Sequence, residues 1–318
     1  MDEELSEDSK AINREFAREN PGWTSTGKYC VTEFDTAPIR STGQLRVKVR
    51  PIPFLSYFPI AKSLARAITP KAEPQDIRLR EKEFSTIKSA ARPLIPNMLI
   101  IQMIVTVYDQ GIEKLLFTQR KDKKRKVLSM FTVAYLSGTW SVSLEEHFLA
   151  PKRLFPDLPN QKGWNGDKDE TVFDGLRRAL KDELHIDEFI EGTTIRVLGA
   201  GFEYQNFNTA IYAIAELPRE LTYEKLVEHI GPSPEFQNIA LCTFDIPTLT
   251  SIFETGEPPD EIKDEMKRTG KKKMLKKWAW HPTSRMRVAL AVRRRFGEDA
   301  FRELLEKGKK QDLPFQGD

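Results

Sequence analysis

The sequence predicts an α/β fold, a mixed sheet sandwiched between helices, and three observations carry that expectation. The apolar run from Leu99 to Tyr108 is short, rich in β-branched residues and ends at the turn Asp109-Gln-Gly111, so it reads as a buried strand. Residues 170–184 change period: Val172, Phe173, Leu176, Leu180 and Leu184 recur at three- and four-residue steps, one apolar stripe expected to pack on a sheet. Short strand patterns stand on both sides of this helix, at 131–136, 139–144, 195–198 and 209–217, an irregular alternation that suits a mixed sheet.

The remaining elements follow in chain order. Residues 1–20 are polar and acid-rich, a frayed terminus or short helix. Leu45, Val47 and Val49 are spaced by two, which predicts a strand that Pro51 and Pro53 are expected to break. A charged, proline-punctuated connection at 70–83 closes an accessory layer over 1–94. Leu115-Leu-Phe-Thr-Gln-Arg120 is the hairpin partner of the first buried strand. A basic loop comes next, and 151–169 forms a long loop bearing prolines and glycines. A helix is expected over 222–230, and a turn leading into another over 244–253. An amphipathic helical region covers 282–307. The expected organisation is therefore an N-terminal extension at 1–94, an α/β domain at 95–257 and a C-terminal helical cap at 258–318.

Composition narrows the function classes. The chain has 318 residues, 39% hydrophobic and 31% charged, enough to bury a real core under a well-solvated surface. Cys30 and Cys242 show no metal-ligand spacing, which suits a reducing, cytoplasmic setting. No apolar run approaches the roughly 20 residues of a membrane helix. The acidic start is not a basic-then-apolar leader, so neither membrane insertion nor secretion is expected. A net charge of +3 gives no call for a nucleic-acid partner. The dense loop Arg120-Lys-Asp-Lys-Lys-Arg-Lys126 reads first as a solvated loop, with phosphate attraction or nucleic-acid contact as its functional alternative.

Charged residues flank the apolar stripe of the 170–184 helix. Glu170, Asp174, Arg178 and Asp182 are successive four-residue steps, and Glu183 sits at the other edge, a turn after Ala179. Carboxylates fixed in this way on a rigid element can hold a hard divalent cation, which prefers oxygen ligands. The segment Glu170, then seven residues, then Arg178-Ala-Leu-Lys-Asp-Glu-Leu-His-Ile186 resembles the Nudix box of the Nudix hydrolase superfamily. Upstream, Gly138-Thr-Trp-Ser-Val-Ser-Leu-Glu-Glu-His147 resembles the strand and turn that lead into that box. Downstream, Val197-Leu-Gly and Asn208-Thr-Ala-Ile-Tyr-Ala-Ile-Ala-Glu216 resemble the strands that follow it.

The resemblance implies a Nudix-like fold and a Mg²⁺- or Mn²⁺-dependent hydrolase of a nucleoside diphosphate-linked or related diphosphate substrate. Glu170, Asp182 and Glu183 would hold metal, supplemented by Glu146 or its neighbour Glu145. Arg178 would brace the carboxylates, and Glu170, Arg178 and Glu183 would carry the catalysis. The departures from the pattern are equally specific. The acidic residue expected after the arginine is Ala179, the glycine near the end of the box is His185, and a glycine pair is replaced by Glu145-Glu146. These departures motivate a rival reading, a catalytically inactive Nudix-like module that binds a nucleotide or a protein partner. The segment around Trp140 also resembles isopentenyl-diphosphate isomerases, but the cysteine that class uses after the tryptophan does not occur here.

Overall fold

Strands and helices alternate irregularly along the chain and build a mixed α/β fold, a large and mostly antiparallel sheet flanked by helices. The computed structural model describes residues 7–19, 27–35, 46–53, 57, 59–60, 74, 81, 97–120, 140–142, 144–155, 169–203, 208–231, 236–255, 259–268 and 284–309. The basic loop after Arg120, the strand expected at 131–136 and the long loop at 156–168 lie outside these residues, as do Trp278, Trp280 and His281. The chain divides into two compact units, the first comprising Met1–Ile100, His147–Gly175 and Gly201–Ala210, the second Ile101–Glu146, Leu176–Ala200 and Ile211–Asp318. Among the described residues no helix is long and apolar enough to cross a membrane.

The first unit contains α1 (Glu7–Glu19) and an antiparallel pair, β1 (Gly27–Asp35) with β2 (Arg46–Pro53). Strand β2 runs through Pro51 and Pro53, which stand opposite Tyr29 and Gly27; they do not break it. The reason is position, because β2 ends the strand order and an edge strand tolerates a residue without an N–H. On its other side β1 meets the first residues of β3 (Asn97–Asp109), Cys30 opposite Met98. Beyond β3 the segment around Leu149 joins β1 through the Lys28–Leu149 bridge and the Ala150 N–H, which donates to the Gly27 carbonyl at 3.0 Å. Asp169 brackets the same residue. Its carboxylate accepts the Leu149 N–H at 2.7 Å, and its own N–H donates to the Leu149 carbonyl at 3.0 Å.

In the second unit the rest of β3 turns into β4 (Ile112–Arg120) through Gln110 and Gly111, with Asp109 opposite Ile112. Both loop residues have positive φ, 50° and 81°, as the tight primed hairpin turns require, and only glycine adopts that conformation without steric cost. Strand β4 also pairs with β5 (Trp140–Val142) and with β9 (Phe236–Thr243). Strand β6 (Leu144–His147) and β8 (Asn208–Glu216) pair with β3, and β7 (Thr194–Glu203) pairs with β8. The expected strand at 139–144 is thus two short strands, and β9 was not expected at all.

Alternation along β4 sends Leu115 and Phe117 to the same core as Trp140, Val142, Ala240 and Cys242. Helices α2 (Val172–Leu184) and α3 (Tyr223–Ile230), the latter the helix expected over 222–230, precede β9 in the chain. The other wall of that core is helical: α4 (Ile246–Thr255), α5 (Asp260–Arg268), α6 (Ser284–Phe296) and α7 (Glu298–Lys309) contribute Phe253, Met266, Val292 and Leu304. Each fully buried aliphatic or phenyl side chain contributes about 1.5–3 kcal/mol of transfer free energy. The helical region at 282–307 is two helices and not one. Gly297, at φ 95°, ends α6 by donating its N–H to the Arg293 carbonyl at 3.1 Å.

A candidate carboxylate and arginine site

Helix α2 (Val172–Leu184) starts two residues later than the sequence suggests, and its cap explains why. The Thr171 N–H and hydroxyl both donate to Asp174 Oδ2 at 2.8 Å, and the Asp174 N–H donates back to Thr171 Oγ1 at 3.2 Å. This reciprocal arrangement is a capping box, so Thr171 is the boundary and Asp174 belongs to the cap. Glu170 lies ahead of the helix in the first unit and is exposed. The far end of α2 is closed by His185, whose N–H reaches the Lys181 carbonyl at 3.0 Å with φ at 55°. A left-handed residue here is the usual place for glycine.

The buried face of α2 differs from the predicted stripe. Leu176, Leu180 and Leu184 are buried as expected, but Phe173 is 43% exposed, and Ala179 and Glu183 take places in the stripe at 0% and 8%. Positions 176, 179, 180, 183 and 184 form one helical face at three- and four-residue steps, which displaces Phe173 to the rim. Ala179 therefore stands fully buried one turn before Glu183 on the same face. A glutamate with so little exposure is rare unless other groups satisfy it.

On the neighbouring flank of α2, Arg178 collects two acids. Its Nη1 donates to Asp182 Oδ2 at 3.2 Å and stands 3.9 Å from Glu146 Oε2 on β6. The guanidinium side chain is only 10% exposed, against 22% for Glu146 and 46% for Asp182. Poor solvation strengthens such a pair relative to one in open water. The structure thus brings Glu146, Arg178 and Asp182 together, with Glu183 next along the helix from Asp182. Alternation along β6 predicts that only one of Glu145 and Glu146 faces a given side, and Glu146 is the one that meets Arg178.

Among the described residues no three or more His, Cys, Asp or Glu side chains converge on a point where they could hold a metal ion. Neither cysteine offers an accessible nucleophile, since both are buried. Burial pushes the Cys242 thiol well above its ordinary range, with Glu261 and Asp245 adding and Lys114 opposing. One buried polar residue had no signal in the sequence beyond its helical position. Arg287 on α6 is fully buried and donates from Nη1 to the carbonyls of Val142 at 2.8 Å and Leu144 at 3.1 Å, and from Nη2 to Ser141 Oγ at 3.0 Å.

Fold and site together define a mixed α/β protein whose sheet-flanking helix presents a braced set of carboxylates. No family model and no curated protein matches the chain. Among solved structures it is similar to DR0079 from Deinococcus radiodurans, at 15% identity over 54% of this chain and 82% of that one, with a TM-score of 0.31. It is also similar to a mutT/nudix family protein from Listeria innocua, at 13% identity over 54% of this chain and 91% of that one, TM-score 0.30. A third is Shewanella oneidensis NrtR, at 10% identity over 67% and 86% of the two chains, TM-score 0.29.

Proposed function

We propose that this protein is a Nudix-like hydrolase of a nucleoside diphosphate-linked or related diphosphate substrate, and that Mg²⁺ or Mn²⁺ enters the site with the substrate. The observation that carries the reading is the placement of Arg178 between Glu146 and Asp182, one helical residue from the buried Glu183. It rests on residues of the second unit alone. The donor set suits Mg²⁺ in one particular way. This cation is commonly held by one or two carboxylates plus substrate phosphates, and not by an all-protein cage. Glu146 and Asp182, which Arg178 draws together, match that lower requirement, with Glu183 next along the helix.

When bound, the metal supplies neutralisation of the phosphate oxygens and activation of water. The chain's own residues do the rest. Arg178 orients the Glu146 and Asp182 carboxylates toward the diphosphate. Glu183, held in the low-dielectric face of α2, accepts the proton of the attacking water. A new P–O bond forms from that water, and the bridging P–O bond breaks to release a phosphate-bearing leaving group. A panel of nucleoside diphosphate sugars incubated with the protein and Mg²⁺ is expected to yield phosphate-terminated products from at least one member. Metal-dependent turnover of none, with binding of one or more, would replace this reading by the rival one.

That rival, a silent module that binds a nucleotide or a protein partner, is favoured by one observation. Ala179 is fully buried on the face where a further carboxylate would stand beside Glu183.

A further inference from the structure

Among the described residues, the edge of the sheet at β5 is covered by side chains of α6 and not by another strand. Both backbone groups of Val142 are taken in this way: its N–H donates to Ser284 Oγ at 3.2 Å, and its carbonyl accepts from Arg287 at 2.8 Å. Ser284 and Arg287 are both fully buried and one helical turn apart, so they face the strand together. Arg287 also reaches the carbonyl of Leu144, the first residue of β6, at 3.1 Å. Nη1 therefore holds the carbonyls of both Val142 and Leu144, while Nη2 holds Ser141 Oγ. Two residues beyond Leu144 stands Glu146, whose carboxylate meets Arg178. A lysine ammonium cannot reproduce this planar, forked set of donors.

We infer that Arg287 is a positioning residue: by tying β5 to β6 it sets where Glu146 meets Arg178, and so makes the C-terminal helices part of the site. The functional half of this inference rests on the proposed hydrolase reading, while the geometric half does not. The decisive comparison uses ¹⁵N-labelled full-length protein and follows the Nε–H resonance of Arg178, assigned by its loss in Arg178→Lys. Binding of Mg²⁺–pyrophosphate is measured on the same samples. Arg287→Lys is expected to move that resonance and to weaken Mg²⁺–pyrophosphate about 10–100-fold, the usual range for a residue that orients a ligand from behind. Leu304→Ala, a core truncation in the same helical layer, lowers stability but leaves both readouts in place. Should Arg287→Lys not fold, Ser284→Ala removes only the Val142 N–H contact and is expected to shift the resonance in the same direction by less. An unmoved Arg178 resonance in the folded Arg287 or Ser284 variant overturns the inference. If the wild type binds no Mg²⁺–pyrophosphate while Arg287→Lys still moves the resonance, the hydrolase reading fails and the clamp stands.

Discussion

Arg287→Ala is expected to lower the free energy of unfolding by about 3–5 kcal/mol, the largest stability loss of any single polar truncation considered. Two buried carbonyls, of Val142 and Leu144, lose the donor that satisfies them, and each such loss costs about 1–3 kcal/mol. The space vacated by a large, fully buried side chain adds a cavity term. The loss of a cation from the interior offsets part of this, which sets the upper end of the range. Urea denaturation reads the effect as a lower midpoint at unchanged slope. Arg294→Ala, two residues after the last buried residue of the same helix but exposed, leaves the midpoint near that of the wild type. A shift for Arg287→Ala no greater than that of Arg294→Ala would contradict the clamp.

Glu183→Gln is expected to reduce diphosphate hydrolysis by roughly 10²–10⁴-fold, the usual contribution of a general base. The amide is close to the carboxylate in size, so packing on the buried face of α2 is retained and the fold survives. Losing the charge removes the proton acceptor and one anionic oxygen for the metal. The missing base lowers kcat, and the missing metal oxygen raises KM for the metal–diphosphate complex, so kcat/KM falls by more than kcat. Hydrolysis by Glu183→Gln at the wild-type rate would remove Glu183 from the mechanism.

Much of the architecture was legible because local rules and tertiary structure agree. The hairpin at Asp109-Gln-Gly111 is an example: a glycine at the turn and β-branched residues before it both point to the observed β3–β4 pair. Strand β9 was missed because Gln237, Asn238 and Ala240 dilute its pattern. Its identity comes from pairing with β4, where Asn238 Nδ2 donates to Gln119 at 2.6 Å, and no local window contains that partner.

At α2 the period and most of the stripe agree: Leu176, Leu180 and Leu184 are buried as expected, and only its edge differs. Phe173 outranks Ala179 and Glu183 on any hydrophobic scale, so the expected stripe includes it and omits them, while the fold buries Ala179 and Glu183 and leaves Phe173 at the rim. Of the site, Arg178 and Asp182 were readable from helical spacing alone. The choice of Glu146 over Glu145 needed the direction of β6, and Arg287 needed the long-range meeting of α6 with β5, 145 residues away in sequence from its partner Val142.

The central claim is that the carboxylates of β6 and α2 take metal only in company with a diphosphate. Calorimetric titration of Mn²⁺ into the protein tests it, first alone and then with saturating pyrophosphate. The account predicts no binding tighter than the order of millimolar for Mn²⁺ alone. With pyrophosphate it predicts binding on the order of micromolar that Glu183→Gln abolishes. No binding under either condition would contradict it.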